Sequence, residues 1–156
     1  MNMEEKKLDK FLKQYYACTD VYEFAKDLTL EQFLNTCERG DWILWLFARM
    51  NPENLRELTL AKGHCANTVR HLMRDEKSVK SVDAAIAFGE NRITRQELAD
   101  AADAAAYAAY ADFADFADFA AAADAAAAAA RNKNRKLTAD ICRKYLPLEI
   151  WDKSKL

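Results

Sequence analysis

Carboxylate side chains recur at a fixed spacing in the second half of the chain, and they are the residues best placed to do chemistry. From residue 99 to 124, Ala fills every third position, while Asp and aromatic residues occupy much of the two lanes between. The Asp lane holds five residues, Asp100, Asp103, Asp112, Asp115 and Asp118, and the aromatic lane holds Tyr107, Tyr110, Phe113, Phe116 and Phe119. Asp124, further along the Asp lane, breaks the pattern because it would point toward the aromatic side of a helix. Such carboxylates can ligate a metal ion or attract a basic partner.

A spacing of three does not match the α-helix, which turns about 100° per residue, so each lane would wind around a helix. Gaps in the Asp lane nevertheless keep most carboxylates away from the aromatic side. Ala106 and Ala109 stand at the two positions where an Asp would otherwise lie among the rings. On a helical projection the five Asp residues cover an arc of about 180°, opposite Tyr110, Phe113 and Phe116. The segment is therefore predicted to be one amphipathic helix.

The acidic face is defined here as the five Asp residues together with the two rings that fall within their arc: Asp100, Asp103, Asp112, Asp115, Asp118, Tyr107 and Phe119. One interpretation is that these carboxylates only keep an Ala-rich helix soluble. A second is that they dock a basic partner and speed its approach by long-range attraction. A third is that the basic segment 131–144 of the same chain folds back on them. The salt dependence of association distinguishes the three.

The rest of the chain offers little for catalysis or metal binding. It has no Gly-rich phosphate loop, no G-x-S-x-G motif and no H-E-x-x-H motif. His64 and Cys65 are neighbours, but successive residues point apart on a helix, so they make a poor nucleophile and base. With His71 they still lack a fourth ligand, and there is no Glu-x-x-His unit of the kind used in di-metal bundles. We expect no enzymatic activity, no metal and no cofactor.

Charge and cysteine usage restrict the class of protein further. The net charge of −2 does not indicate a nucleic-acid partner, and the basic segment 131–144 lacks the interleaved aromatic residues of such binders. The N-terminus has no apolar signal sequence, and no stretch is long and apolar enough to span a membrane. The cysteines form no C-x-x-C pair and are expected to be reduced, isolated apolar fillers in the cytoplasm: Cys18, Cys37, Cys65 and Cys142.

Apolar periodicity and capping residues predict about seven helices, over 8–16, 29–38, 41–48, 52–73, 78–88, 94–130 and 138–146. Capping boxes are expected at Thr29 and Thr94, each followed three residues later by Gln or Glu. Gly40 and Gly89 are expected to end helices, Gly89 in the left-handed conformation that glycine adopts readily, and the polar stretch 131–136 is expected to end the long one. Thr138 is then expected to cap the last helix.

Two further features concern the core. The segment 42–48 is apolar on all sides, which predicts a central helix with Trp42 and Trp45 in the core. Gly63 either weakens its helix or admits a close neighbour. Few Gly and Pro and no alternating β-branched run exclude a sheet. The expected fold is all-α, a single domain over residues 1–156, built as a bundle of about seven helices with one long Ala-rich helix.

Several segments carry a resemblance to a known family: Gly40-Asp41-Trp42-Ile43-Leu44-Trp45-Leu46, Cys65-Ala66 with Val69-Arg70, Ala84-Ala85-Ile86-Ala87 with Gly89-Glu90, Leu98, the Ala tract, and Ile141, Arg143-Lys144 and Pro147. In content and order, the region from Asp41 to Trp151 resembles the immunity proteins of bacterial polymorphic toxin systems. The resemblance implies an all-α, non-enzymatic, intracellular protein that binds and neutralises a cognate protein toxin.

The resemblance supplies no toxin-contacting positions, so the binding mode is a hypothesis from the residues. The acidic face would cover a basic surface of the toxin, such as one that holds phosphate at a nuclease active site. Tyr107 and Phe119 would slow release. The alternative is a structural or oligomeric helical protein with no toxin partner, in which the Ala-rich helix packs on a copy of itself.

Overall fold

The computed structural model describes the backbone of residues 6–73, 75–104 and 124–156, and the side chains of these residues except 124–132. Within these ranges the chain forms eight α-helices and no strand, which confirms the all-α fold. The helices are α1 (Asp9–Gln14), α2 (Thr19–Ala25), α3 (Leu30–Thr36), α4 (Gly40–Met50), α5 (Leu55–Asn67), α6 (Glu76–Gly89), α7 (95–104) and α8 (Asp124–Tyr145). Among the helices so described, none combines the length and hydrophobicity that crossing a bilayer requires.

The hydrophobic core is centred on α4. Ile43, Leu46, Phe47 and Met50 of this helix are at most 1% exposed. They belong to a cluster contributed by α1, α3, α8 and the C-terminal segment: Leu8, Phe11, Leu12, Leu30, Phe33, Cys37, Ala139, Cys142, Leu146 and Trp151. Burial of such side chains is the main favourable contribution to folding. The prediction of α4 as the central helix is therefore confirmed.

The two Trp residues of α4 lie at the edge of this core rather than inside it. Trp42 and Trp45 are half-buried, and the Trp42 ring packs against Phe24 with centroids 5.7 Å apart. The prediction that both are core residues is thus only partly right. The apolar circumference of α4 is wider than the surface its neighbours cover, so one side of it reaches the solvent.

Two glycines allow α5 and α6 to pack closely. A Cβ atom on Gly63 would lie 2.9 Å from Ile86 Cγ1, which confirms that this glycine admits a close neighbour. A Cβ atom on Gly89 would lie 2.8 Å from Leu60 Cα. Gly89 is the last helical residue of α6, and the left-handed residue that follows is Asn91, with φ of 62°. The predicted left-handed role of Gly89 is wrong, because packing against Leu60 is what requires a glycine there.

The boundary between α3 and α4 also differs from the prediction. The second helix was expected to stop at Gly40 and the next to be capped by Asp41, but α3 ends at Thr36 and Gly40 is the first residue of α4. Arg39 occupies the N-cap position, and its Nη2 atom lies 2.6 Å from Asp41 Oδ2. Asp41 therefore acts in the first turn as a carboxylate paired with Arg39. In addition, α2 was not predicted, and α5 ends at Asn67 instead of near residue 73.

Helix α8 continues through the polar stretch 131–136, so the predicted helix end there is wrong. Thr138 is not an N-cap either, because its hydroxyl donates to the Arg135 carbonyl one turn earlier, at 2.9 Å. Tertiary contacts hold this part of the helix: Thr68 Oγ1 donates to Asn134 Oδ1 at 2.9 Å, and Lys136 pairs with Glu38 at 3.7 Å. The middle of the predicted long Ala-rich helix, residues 105–123, lies outside the described residues, and α7 and α8 cover its two ends.

Candidate functional site

The acidic face begins on α7, and the start of this helix is set by a local hydrogen-bond pair. The Glu97 backbone N–H donates to Thr94 Oγ1 at 3.2 Å, and the Thr94 N–H donates to Glu97 Oε1 at 3.3 Å. This reciprocal pair satisfies two backbone donors that the first turn of a helix leaves without intrahelical partners. The predicted capping box at Thr94 is confirmed, and it fixes the register of Asp100 and Asp103.

Asp100 and Asp103 are both exposed. Within 95–104 the half-buried residues are Leu98 and Ala101, which are three apart and share one side of the helix. The Gln96 side-chain amide donates to Asp100 Oδ1 at 2.9 Å, which orients that carboxylate without neutralising it. Neither carboxylate forms an ion pair with a lysine or arginine among the described side chains. Two negative charges therefore face the solvent on this part of α7.

The remaining residues of the acidic face are Tyr107, Asp112, Asp115, Asp118 and Phe119, and all five lie outside the described residues. Their separation from the opposite rings stays a prediction from the sequence. The structure therefore places two of the seven residues.

Two cations of the basic segment of α8 form contacts away from the acidic face. Arg143 donates to the Leu34 carbonyl at 3.0 Å and to the Cys37 carbonyl at 2.6 Å, and its other terminal nitrogen pairs with Asp140 at 2.5 Å. Lys136 pairs with Glu38. These contacts join α8 to α3 and to the α3–α4 turn, so these two cations are engaged at a different surface from Asp100 and Asp103.

A cleft of about 500 Å³ lies beside the start of α7, lined by Asp83, Ala84, Ile86, Ala87, Arg92, Ile93 and Glu97. Its carboxylates have structural partners, since Arg70 donates two hydrogen bonds to Asp83 at 2.5 and 3.0 Å and Glu97 belongs to the capping box. The hydrogen bond from Arg70 lowers the pKa of Asp83, which keeps that carboxylate charged. The described residues of the lining include no serine, cysteine or histidine, so they do not form a nucleophile and base pair.

His64 and Cys65 contact different residues of α8, as expected for adjacent residues on a helix. The His64 ring stacks on Tyr145 with centroids 4.1 Å apart and planes 4° apart, while Cys65 contacts Cys142. Partial burial lowers the pKa of His64; the negative charge of Glu90 opposes this shift, and Lys144 adds a smaller lowering contribution. In the part of the chain that the structure describes, no three His, Cys, Asp or Glu side chains gather into a potential metal site.

A second, partly exposed feature was missed in the sequence: the Trp–Arg surface, formed by Arg39, Trp42, Trp45 and Arg49. The Arg39 guanidinium lies 4.6 Å from the centroid of the Trp42 ring, and that of Arg49 lies 5.7 Å from the Trp45 ring. Trp and Arg are the residue types that most often dominate binding energy at protein interfaces. The signal was present, because each Arg stands three or four residues from its Trp along one helical surface.

Comparisons with protein-family models, curated proteins and solved structures gave no match to this chain.

Proposed function

We propose that this protein is a cytoplasmic immunity protein that binds a cognate protein toxin and neutralises it, with the acidic face as the docking surface. The observation that carries the docking part of the proposal is the exposure of Asp100 and Asp103 on a helix whose opposite side is half-buried at Leu98 and Ala101. The assignment to the immunity proteins rests on the sequence resemblance over the region from Asp41 to Trp151. No catalytic role is proposed for any residue.

The mechanism follows from the charges. Exposed carboxylates without a cationic partner raise the rate at which a basic protein surface is captured, because the attraction acts over about a Debye length, roughly 8 Å at physiological salt. Once docked, Tyr107 and Phe119 would bury apolar area and slow dissociation. The partner most compatible with this chemistry is a domain whose active site carries lysine and arginine to hold phosphate, such as a nuclease.

The neighbouring reading frames identify the toxin domain that the binding experiment requires. The reading frames on either side of this one should include a large multidomain protein with a secretion-type N-terminal region and a small C-terminal domain. That C-terminal domain, purified as an inactive variant, is the ligand for surface-based binding measurements at two salt concentrations. Co-expression with the active domain then measures protection of the host cell.

Two charge-matched sets of variants test the docking surface. Asp100→Asn with Asp103→Asn, and separately the triple change of Asp112, Asp115 and Asp118 to Asn, should lower the association rate about tenfold at low salt and flatten its salt dependence. Glu31→Gln with Glu57→Gln removes two exposed carboxylates elsewhere and should leave association nearly unchanged. Circular dichroism checks that helicity is kept in each variant.

The Trp–Arg surface supplies the competing binding site. If Trp45→Ala weakens binding while the acidic-face variants match the Glu31 and Glu57 control, the toxin binds at α4 and the acidic face only solvates its helix. If no neighbouring domain binds at all, the immunity function itself is wrong.

The alternative of a self-associating helical protein is favoured by two exposed leucines, Leu72 at 68% and Leu137 at 47%. Light scattering over a concentration series distinguishes it from the toxin-binding proposal. A dimer that forms with increasing concentration and is lost in Phe113→Asp or Phe116→Asp would support packing of the Ala-rich helix on its own copy.

A further inference from the structure

Two cysteines that are 77 residues apart in sequence meet at the contact between α5 and α8. The sulfur atoms of Cys65 and Cys142 are 3.8 Å apart, and both thiols are free. Cys142 is fully buried, and its Sγ also lies 3.6 Å from the Gly40 carbonyl oxygen. Cys65 is half-buried and is therefore the more exposed member of the pair. The interpretation of all four cysteines as isolated fillers does not hold for this pair.

The two helices are held in place on both sides of the sulfurs. His64 stacks on Tyr145, and Thr68 donates to Asn134, so α5 and α8 run antiparallel past the pair. A disulfide has a sulfur separation of about 2.05 Å, so the two atoms must approach by about 1.8 Å, a distance that side-chain rotation can supply in part. The contacts on either side keep the sulfurs at high effective concentration.

The two thiols also differ chemically. The contact with Cys142 lowers the pKa of Cys65, whereas the same contact and burial raise the pKa of Cys142. The thiolate is the reactive form of cysteine, and accessibility adds to this asymmetry. Because Cys65 is half-buried and Cys142 is fully buried, Cys65 is the residue that reacts first with a reagent and Cys142 is the resolving residue.

We propose that Cys65 and Cys142 are an oxidative modification site, closed into a disulfide between α5 and α8 by a low-molecular-weight organic disulfide. In the first step the Cys65 thiolate attacks the reagent, forms a mixed disulfide and releases one thiolate. In the second step the Cys142 sulfur attacks the Cys65 sulfur, its proton passes to the departing thiolate, and the protein disulfide forms. One reagent disulfide is reduced to two thiols, and two protein thiols are oxidised.

The physical consequence is a covalent tether that closes a loop of about half of the chain. Closing a loop this long restricts the unfolded ensemble strongly in the chain-entropy model. In a reducing compartment such a bond forms only transiently under oxidative conditions, which is the behaviour of a redox-responsive site rather than of a permanent staple. This inference does not depend on the proposed toxin partner.

The experiment uses the full chain, incubated in native buffer with excess oxidised glutathione and quenched with N-ethylmaleimide. Trypsin places the four cysteines on four separate peptides, residues 14–26, 27–39, 63–70 and 137–143. The expected product is 63–70 joined to 137–143, a crosslinked peptide whose mass is that of the two peptides less two hydrogen atoms. After unfolding in guanidinium the same reagent should give mixed pairings, because only the fold selects this pair.

Single variants separate the two steps. Cys142→Ser should stop the reaction at a glutathione adduct on peptide 63–70, and Cys65→Ser should abolish the crosslink. Cys18→Ser is the control: it changes the exposed cysteine and should leave the crosslink intact. The proposal is overturned if the native chain keeps glutathione on Cys65 without closing the bond, or does not react. It is equally overturned if the dominant crosslink joins 27–39 to 137–143, which would assign the pair to Cys37 and Cys142.

Discussion

Gly40 lies so close to Thr138 that a Cβ atom on it would stand 2.5 Å from Thr138 Oγ1 and 2.7 Å from the Thr138 carbonyl carbon. The first turn of α4 therefore packs directly on the middle of α8. Helix α4 lies at the centre of the core, and α8 follows the Asp-bearing segment in the chain. This contact therefore connects the centre of the fold to the helix that comes directly after that segment.

Gly40→Ala should accordingly destabilise the protein by about 1–3 kcal/mol, because overpacking against backbone outweighs the gain in helix propensity. Guanidinium unfolding followed by circular dichroism measures the loss. Gly63→Ala is the comparison, since its nearest atom is a movable side-chain carbon of Ile86, and it should cost less. Equal stability of Gly40→Ala and the parent chain would show that α4 and α8 are not in this contact.

Asn51 is the buried polar residue that joins the end of α4 to the C-terminal segment. It is 2% exposed; its amide donates to the Phe47 carbonyl at 3.3 Å, and its Oδ1 accepts from the Asp152 N–H at 2.7 Å. Asn51→Ala should lower the free energy of unfolding by about 1–3 kcal/mol, because it leaves a partly buried N–H without its acceptor. Hydrogen exchange at Asp152 should accelerate in this variant more than exchange in α6, and uniform acceleration would contradict a local role.

The capping box of α3 gives a smaller, local prediction. Thr29 Oγ1 accepts from the Gln32 N–H at 3.2 Å, and Gln32 Oε1 accepts from the Thr29 N–H at 3.0 Å. Thr29→Ala should cost about 1 kcal/mol, whereas Thr29→Ser keeps the hydroxyl and should cost much less. Urea unfolding of the two variants side by side decides the point, and an equal loss in both would assign the effect to the lost methyl group.

His64 predicts a pH dependence of stability. Burial lowers its pKa in the folded protein, so the unfolded chain binds the proton more readily. The stability contribution is present above the ordinary histidine pKa of about 6.5 and is lost as the pH falls toward the lowered value. His64→Phe retains a ring against Tyr145 but cannot titrate, so its melting temperature should fall less between pH 7.5 and 5 than that of the parent chain. Parallel curves for the two proteins would contradict the prediction.

Local sequence signals correctly predicted the features that depend on contacts within a single helical turn. Both capping boxes, at Thr29 and Thr94, occur as the sequence indicates, because the Thr hydroxyl and the Glu or Gln side chain reach backbone groups only three residues away. The helix end at Gly89 was placed correctly, but the assignment of Gly40 and the left-handed conformation of Gly89 failed, because a distant helix approaches the backbone at both glycines. The continuous helix through 131–136 was missed for the same reason, since its support comes from Thr68 and Glu38.

The candidate functional features also differ in whether the sequence could predict them. The Asp spacing on α7 was readable from the sequence, because helical periodicity fixes which residues share a side, and Asp100 and Asp103 are exposed as expected. The Cys65–Cys142 pair was not readable, because nothing local marks two thiols that come together across 77 residues.

The amino-acid order by itself determined an all-α chain, since few glycines and prolines, strong helix formers and self-contained capping motifs act within one turn. Tertiary packing alone decided which glycines face a neighbouring helix, where α8 begins its contact with α4, and which thiols meet. Those outcomes depend on shape complementarity between surfaces far apart along the chain, and no local pattern encodes it.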